Sequence, residues 1–306
     1  MLDQDKSLMN EILKLKASKS VYIIAHYYQR PEIQDIADFV GDSYAMAIAA
    51  RNSPLETILV AGVDFMAESA AILCPEKTVL SPEPRATCPM ANSITVDKVV
   101  EFKQKYPDGI VVSYVNTPAA IKAVTDVCCT SSNAADILAK LPENARIYFI
   151  PDQNLAINVS NKMGRIVNFY DSYCPIHNAL TKADILKLKA QYPEAKVLVH
   201  PECKPEIIKL ADYVGSTAGI IKYVSQSDSE SYIIATECGI THPIQKAYPD
   251  KELIIASDEM ICPNMKSITL NKILYSLENM GKVITVPENI RIPAARALEK
   301  MIAYAS

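Results

Sequence analysis

The chain has 306 residues, 49% of them hydrophobic, and a formal net charge of −4 from 31 Lys and Arg against 35 Asp and Glu. That length accommodates two or three domains with buried cores, and the lack of any Lys or Arg block argues against a nucleic-acid or polybasic membrane surface. No apolar run approaches the roughly 20 residues that span a bilayer.

Met1 to Lys19 mixes charges with Leu8, Met9, Ile12, Leu13 and Leu15 at helical spacing. This predicts an amphipathic helix and not the apolar core of a secretion signal. Tyr22 to Ala25 reads as a buried strand, Pro31 as the first turn of a short helix, and Tyr44 to Ala50 as a helix after the Gly41-Asp42-Ser43 turn. Strand patterns at Thr57 to Ala61 and Thr78 to Leu80 flank a helical stretch from Asp64 to Leu73. Thr95 is placed to cap a helix reaching Lys105.

The same order then recurs. Cys88-Pro89, Cys174-Pro175 and Cys262-Pro263 are separated by 86 and 88 residues, and Thr95, Thr181 and Thr269 each follow their cysteine by seven. Asp184, three residues after Thr181, completes a capping-box pattern. His26, Tyr114 and His200 each precede an aspartate (Asp38, Asp126, Asp212) by 12 residues, and Ser43, Ser131 and Thr217 follow that aspartate by five. The aspartates stand 50, 48 and 50 residues before the cysteines, so one register relates every motif. Lys282 to Pro287 reads as the opening strand of a fourth copy, because Glu288 follows Cys262 by 26 residues, as Tyr114 follows Cys88 and His200 follows Cys174.

Alternating strand and helix patterns predict an α/β fold of three similar α/β/α sandwich domains with small parallel sheets, arranged with pseudo-threefold symmetry around a centre. The expected repeats are 1–108, completed by 283–306, then 109–195 and 196–282. Ligands of parallel α/β sheets bind beyond the carboxyl ends of strands, where the repeated polar residues and cysteines fall. A Ser or Thr beside exposed helix N–H groups suits a carboxylate or phosphate, although capping the helix is the commoner role of a single such residue.

Eight cysteines with no secretory leader pattern point to a reducing cytoplasm, where thiols are buried, metal-bound or reactive. Cys128 matches Val40 and Val214 in the repeat and reads as core, as do Cys74, Cys203 and Cys238, which have no repeated equivalents. Cys88, Cys174 and Cys262 differ, since three matched thiolates could hold zinc with an open fourth position or a cubane iron–sulfur cluster with one iron lacking a protein ligand. Spacing alone does not choose between these metals. His177 either supports such a centre or caps a loop, and His242 has no assignment. Neither GxGxxG nor a Walker pattern is present, which disfavours nucleotide cofactors.

Ala25-His-Tyr-Tyr-Gln29, Asp35 to Ser43, Ala86-Thr-Cys-Pro-Met-Ala-Asn92, Tyr114-Val-Asn116, His200-Pro-Glu202 and Gly215-Ser-Thr217 closely resemble quinolinate synthases, over nearly the whole chain. The resemblance implies a cytoplasmic transferase of pyridine nucleotide (NAD) biosynthesis. Such an enzyme condenses iminoaspartate with dihydroxyacetone phosphate to quinolinate, releasing phosphate and water. It implies a 4Fe-4S cluster on Cys88, Cys174 and Cys262 whose open iron acts as a Lewis acid, and a functional link to the enzyme that makes iminoaspartate. Carried over by position, substrate contacts fall to His26, Ser43, Tyr114, Val115, Asn116, Ser131, His200, Pro201, Glu202 and Thr217. Catalysis falls to Tyr28 and Glu202 as an acid–base pair, with His26 and Tyr114. Tyr27, where some relatives carry Asn, is the one departure noted. Competing readings are an iron–sulfur enzyme like those of diphthamide synthesis, using S-adenosylmethionine, and a non-enzymatic iron–sulfur sensor.

Overall fold

Three small sheets share one strand order. In the computed structural model, which describes residues 3–305, the first sheet holds β1 (Val21–His26), β2 (Phe39–Gly41), β3 (Thr57–Ala61) and β4 (Thr78–Ser81). The second holds β5 (Ile110–Tyr114), β6 (Val127–Cys129), β7 (Ile147–Ile150) and β8 (Asn168–Phe169). The third holds β9 (Lys196–Val199), β10 (Tyr213–Val214), β11 (Ser231–Ala235) and β12 (Glu252–Ile255). In each, the first strand lies between the second and third, the fourth follows the third, and all these pairings are parallel. The chain is therefore α/β, with three small parallel sheets flanked by helices. Met1, Leu2 and Ser306 lie outside the described residues, and the predicted first helix is described from Asp3 as Asp3–Ser18.

The strands are short, apolar and buried along most of their length, as expected where helices cover both faces of a sheet. Ile23, Ile24, Leu59 and Val60 in the first sheet, Val112 and Phe149 in the second, and Val197 and Ile233 in the third are at most 1% exposed. The repeated aspartates hold the first strand of each sheet. Asp38, Asp126 and Asp212 accept the backbone N–H of Ile23, Val111 and Val197, each at 2.8 Å, and return their own N–H to the carbonyls of the same residues. A lysine sits on the outer side of each, with Lys16 and Lys103 at 2.8 Å and Lys189 at 3.7 Å. These aspartates are thus structural staples.

The helix after each cysteine packs on the next sheet. Val99 of the helix Val96–Lys105 joins Val111 and Ile150 of the second sheet in one core. Ile185 of Lys182–Gln191 joins Val197 and Ile233 of the third. Ile273 and Leu277 of Leu270–Asn279 return to the first, packing with Ile12, Ile23 and Ile58. Each cysteine therefore lies on a segment that passes from one sheet to the next lobe, which brings all three toward the middle. Of the predicted threonine caps, Thr181 forms the full capping box with Asp184 and Thr269 accepts the Lys272 N–H, while Thr95 occupies the cap position without a side-chain bond.

At the carboxyl end, β13 (Lys282–Val283) pairs antiparallel with β4, extending the first sheet. Glu288 opens the helix Glu288–Ala305, whose Ala294, Ala297, Leu298 and Met301 pack into the core of the second lobe with Val127 and Ile137.

Candidate active site

The carboxyl ends of the first strands of all three sheets open onto one cavity of about 260 Å³. It is lined by His26, Tyr28, Ser43, Cys88, Tyr114, Asn116, Ser131, Cys174, His200, Glu202, Thr217 and Cys262, with His177 and Glu237 among others. Val115 and Pro201 stand beside it but outside its lining. Val115 is 4% exposed and donates its N–H to Cys129, and the Pro201 carbonyl accepts from the Asn158 side chain at 2.8 Å.

His26 ends β1, and its Nδ1 accepts the N–H of Tyr28 at 3.0 Å. His200 follows β9, and its Nδ1 accepts the N–H of Glu202 at 3.4 Å. In a neutral ring this leaves Nε2 as the donor, so the two turns present the same tautomer. Both rings are neutral near pH 7. Burial pushes each imidazole down to about 3, helped by His200 beside His26, and for His200 by His177 against an opposing pull from Glu202.

Glu202 is the hub of the polar network. Its Oε1 accepts from the Tyr114 hydroxyl at 2.7 Å and its Oε2 lies 2.8 Å from His177 Nδ1. Burial alone would push this carboxyl up, but His177, His200 and the Tyr114 hydroxyl outweigh it and hold the group down at about 2. The phenols behave oppositely. Burial, with Glu202 adding, drives Tyr28 and Tyr114 well above the usual tyrosine value, so both remain protonated donors. From His177 Nε2 the network continues to the Thr236 hydroxyl at 2.9 Å and on to the Tyr28 hydroxyl at 2.7 Å. A buried carboxylate and a buried phenol are thus joined through one imidazole and one hydroxyl, a connected path for a proton.

The hydroxyl residues are not caps. Asp42 caps the helix Ser43–Asn52 and Ser216 caps Thr217–Gln226, so Ser43 and Thr217 are the first residues inside their helices. Ser131 lies beside the Tyr114 hydroxyl. The sequence reading had left capping as the bland alternative, and the one-residue offset removes it for Ser43 and Thr217.

Cys88, Cys174 and Cys262 arrive from three different loops, and all eight cysteines are free thiols. Cys128 and Cys129 are buried in β6, and Cys74 and Cys203 are core residues. Burial pushes Cys88 up to about 12, with Glu202 and Cys262 adding to the effect, and pushes Cys174 well above its ordinary value, with Glu202 and then Cys88 adding. Among the described lining residues there is no Lys or Arg to neutralise thiolates. Three sulfur donors that oppose one another's ionisation, without a cationic side chain between them, form a donor set matched to a thiophilic metal group, which would supply the missing positive charge. Cys174, His177 and Glu202 also offer ligand atoms within 4.8 Å of one another. His177, whose Nδ1 lies 3.2 Å from Cys174 Sγ, therefore joins the sulfur centre to the carboxylate.

His177 and Thr236 are the residues the sequence reading missed or left undecided. Thr236 lies one residue past the end of β11 and carries no repeated equivalent that self-comparison would detect. His242, unassigned from sequence, lies away from the cavity, 3.0 Å from Asp35 on the seam between the first and third lobes.

Residues 10–303 match the family model described as quinolinate synthetase A protein. Among curated proteins the chain is 45% identical to the quinolinate synthase of Methanosarcina barkeri over 300 residues, 98% of each chain. It is 45% identical to that of Geotalea uraniireducens, covering 97% of each, and 46% identical to that of Dehalococcoides mccartyi, covering 96% of this chain and 97% of the relative. No helix among the described residues is long and apolar enough to cross a membrane.

Proposed function

The chain belongs to the quinolinate synthetase A family, and from that premise we propose that it condenses iminoaspartate with dihydroxyacetone phosphate to form quinolinate. The products are quinolinate, phosphate and two waters, which balance the atoms of the two reactants with no external oxidant. The observation that carries the reading is the meeting of three cysteines from three lobes with the Tyr28, Glu202 and His177 network in one cavity.

Cys88, Cys174 and Cys262 are the residues that would hold a 4Fe-4S cluster. When bound, such a cluster with an open iron supplies Lewis acidity toward a leaving hydroxyl. The rest falls to side chains. The reactants carry two carboxylates and a phosphate, which an acidic protein attracts only locally. Ser43 and Thr217, each at the start of a 10-residue helix, offer hydroxyls beside helix N–H groups for these anions. His26 and His200 donate from Nε2 without adding charge, and Tyr114, Asn116 and Ser131 add further polar contacts. Glu202, ionised, removes protons from carbon or nitrogen, and Tyr28, protonated, delivers them to departing oxygen. The path through His177 and Thr236 resets both groups between the steps. Val63, Phe65 and Met66 close the apolar side of the cavity and limit water around these groups.

The free thiols support a cytoplasmic setting, and an upstream enzyme that releases iminoaspartate is the implied partner. The test is a quinolinate assay on anaerobically prepared protein and on Cys174→Ser. The wild type is expected to form quinolinate and the variant to lose metal and activity together. Full activity in metal-free wild type overturns the mechanism.

A further inference from the structure

The loops that carry the three cysteines are anchored in the same way, by a feature that the self-comparison of the sequence did not detect. Shortly after the third strand of each sheet comes a carboxylate: Asp64 after β3, Asp152 after β7 and Glu237 after β11. They stand 24, 22 and 25 residues before Cys88, Cys174 and Cys262. Asp64 accepts the backbone N–H of Cys88. Asp152 Oδ2 accepts that of Cys174 at 3.2 Å, and Glu237 Oε1 accepts that of Cys262, also at 3.2 Å.

A backbone bond completes each anchor. The N–H groups of Asp64, Gln153 and Cys238 donate to the carbonyls of Ala86, Ser172 and Met260, all at 2.8 Å, and each acceptor lies two residues before its cysteine. The arrangement is not explained by helix capping. Asp152 is the cap of Gln153–Met163, but Asp64 lies inside the first turn of its helix and Glu237 caps only a three-residue turn. What the three share is the cysteine.

We propose that Asp64, Asp152 and Glu237 are positioning residues of the thiol triad, each fixing one cysteine backbone so that the three sulfurs converge before any metal group arrives. The inference rests on the proposed role of the cysteines. Carboxylates that orient ligands in this way commonly change metal affinity by about 10- to 100-fold when lost. They also tie up the cysteine N–H, which directs the loop and leaves the sulfur to the cavity.

The experiment reconstitutes wild type, Asp152→Asn, Asp152→Ser and Asp152→Ala with iron and sulfide under anaerobic conditions. It follows iron loss to a chelator, the electron paramagnetic resonance signal of the reduced protein, and thermal stability. Asn retains an acceptor oxygen at the same reach and is expected to keep the wild-type signal and rate of iron loss. Ser still caps the helix but does not reach Cys174, so it is expected to hold the wild-type melting temperature while losing iron at least about tenfold faster with an altered signal. Ala is expected to lose iron equally fast and to melt lower. Iron retention and signal in Asp152→Ser and Asp152→Ala identical to wild type overturn the proposal. A wild type that binds no iron overturns the reading beneath it instead.

Discussion

Tyr28 and Glu202 are structural counterparts in different lobes: each donates its backbone N–H to Nδ1 of the histidine two residues earlier, His26 or His200. One repeat position has thus become a phenol in the first copy and a carboxylate in the third, and their environments push the two acidities apart. Divergence of this kind assigns acid and base without any difference in backbone. Tyr28→Phe and Glu202→Gln are each expected to lower kcat by about 10²- to 10⁴-fold while iron content stays at the wild-type level. Steady-state kinetics beside an iron assay checks this, and a variant with unchanged kcat removes that residue from proton transfer.

Thr236 joins the two through His177, and its hydroxyl is buried with partners on both sides. Thr236→Val keeps the volume but leaves the Tyr28 hydroxyl and His177 Nε2 without their shared partner, at a cost of about 1–3 kcal/mol in the affected state. The expected result is a kcat reduced by about 10-fold or more, with KM close to wild type and a changed solvent isotope effect. Equal losses in stability and KM, with kcat intact, would indicate a packing role only.

Acid is expected to weaken the metal-free protein through His26 and His200. Burial holds both imidazoles at about 3, below their ordinary 6.5, so the unfolded chain binds more protons than the folded one between those values. Stability therefore rises with pH across that window and is lost as pH falls, by about 2 kcal/mol per histidine between pH 6.5 and 5. Urea unfolding at pH 7 and pH 5 measures this, and the His26→Gln/His200→Gln protein should show a shallower dependence. Identical pH slopes in the two proteins would contradict the assignment.

Gly239 marks the closest backbone approach between the first and third lobes. A Cβ there would stand 2.6 Å from the Tyr27 carbonyl and 2.9 Å from that of Gln29, while Gln34 Nε2 bridges these carbonyls to the Gly239 carbonyl. Gly239→Ala is expected to cost about 1–3 kcal/mol through forced backbone movement. It should also lower activity, since the same seam carries Glu237 and Tyr28. Calorimetry with kinetics tests this, and an unchanged melting temperature would show that the seam yields freely.

Periodicity made the first lobe legible in the sequence. The apolar runs at Tyr22 and Thr57, Pro31, and the helix from Asp64 to Leu73 all fall where expected, because strand and helix patterns there are short and well punctuated. Triplication exposed the cysteines and the histidine positions, since repeated chemistry stands out from variable packing. Thr236 and the anchoring carboxylates were hidden for the opposite reason. Thr236 occurs in one copy only, and Asp64, Asp152 and Glu237 shift by a residue or two and alternate Asp with Glu, so no fixed register aligns them. The passage of each post-cysteine helix to the next sheet was equally invisible, because an amphipathic pattern tells which face is buried and not which sheet covers it.

The central claim is that the cysteines of three lobes jointly hold one cluster facing the Tyr28 and Glu202 network. Iron and sulfide analysis with Mössbauer spectroscopy on anaerobically purified wild type tests it most directly, run beside Cys88→Ser, Cys174→Ser and Cys262→Ser. The account predicts about four irons and about four sulfides per wild-type chain, with one iron spectroscopically distinct on adding substrate, and loss of the cluster in every variant. A cluster that survives removal of any one of these thiols, or a wild type carrying a single zinc ion in its place, would contradict it.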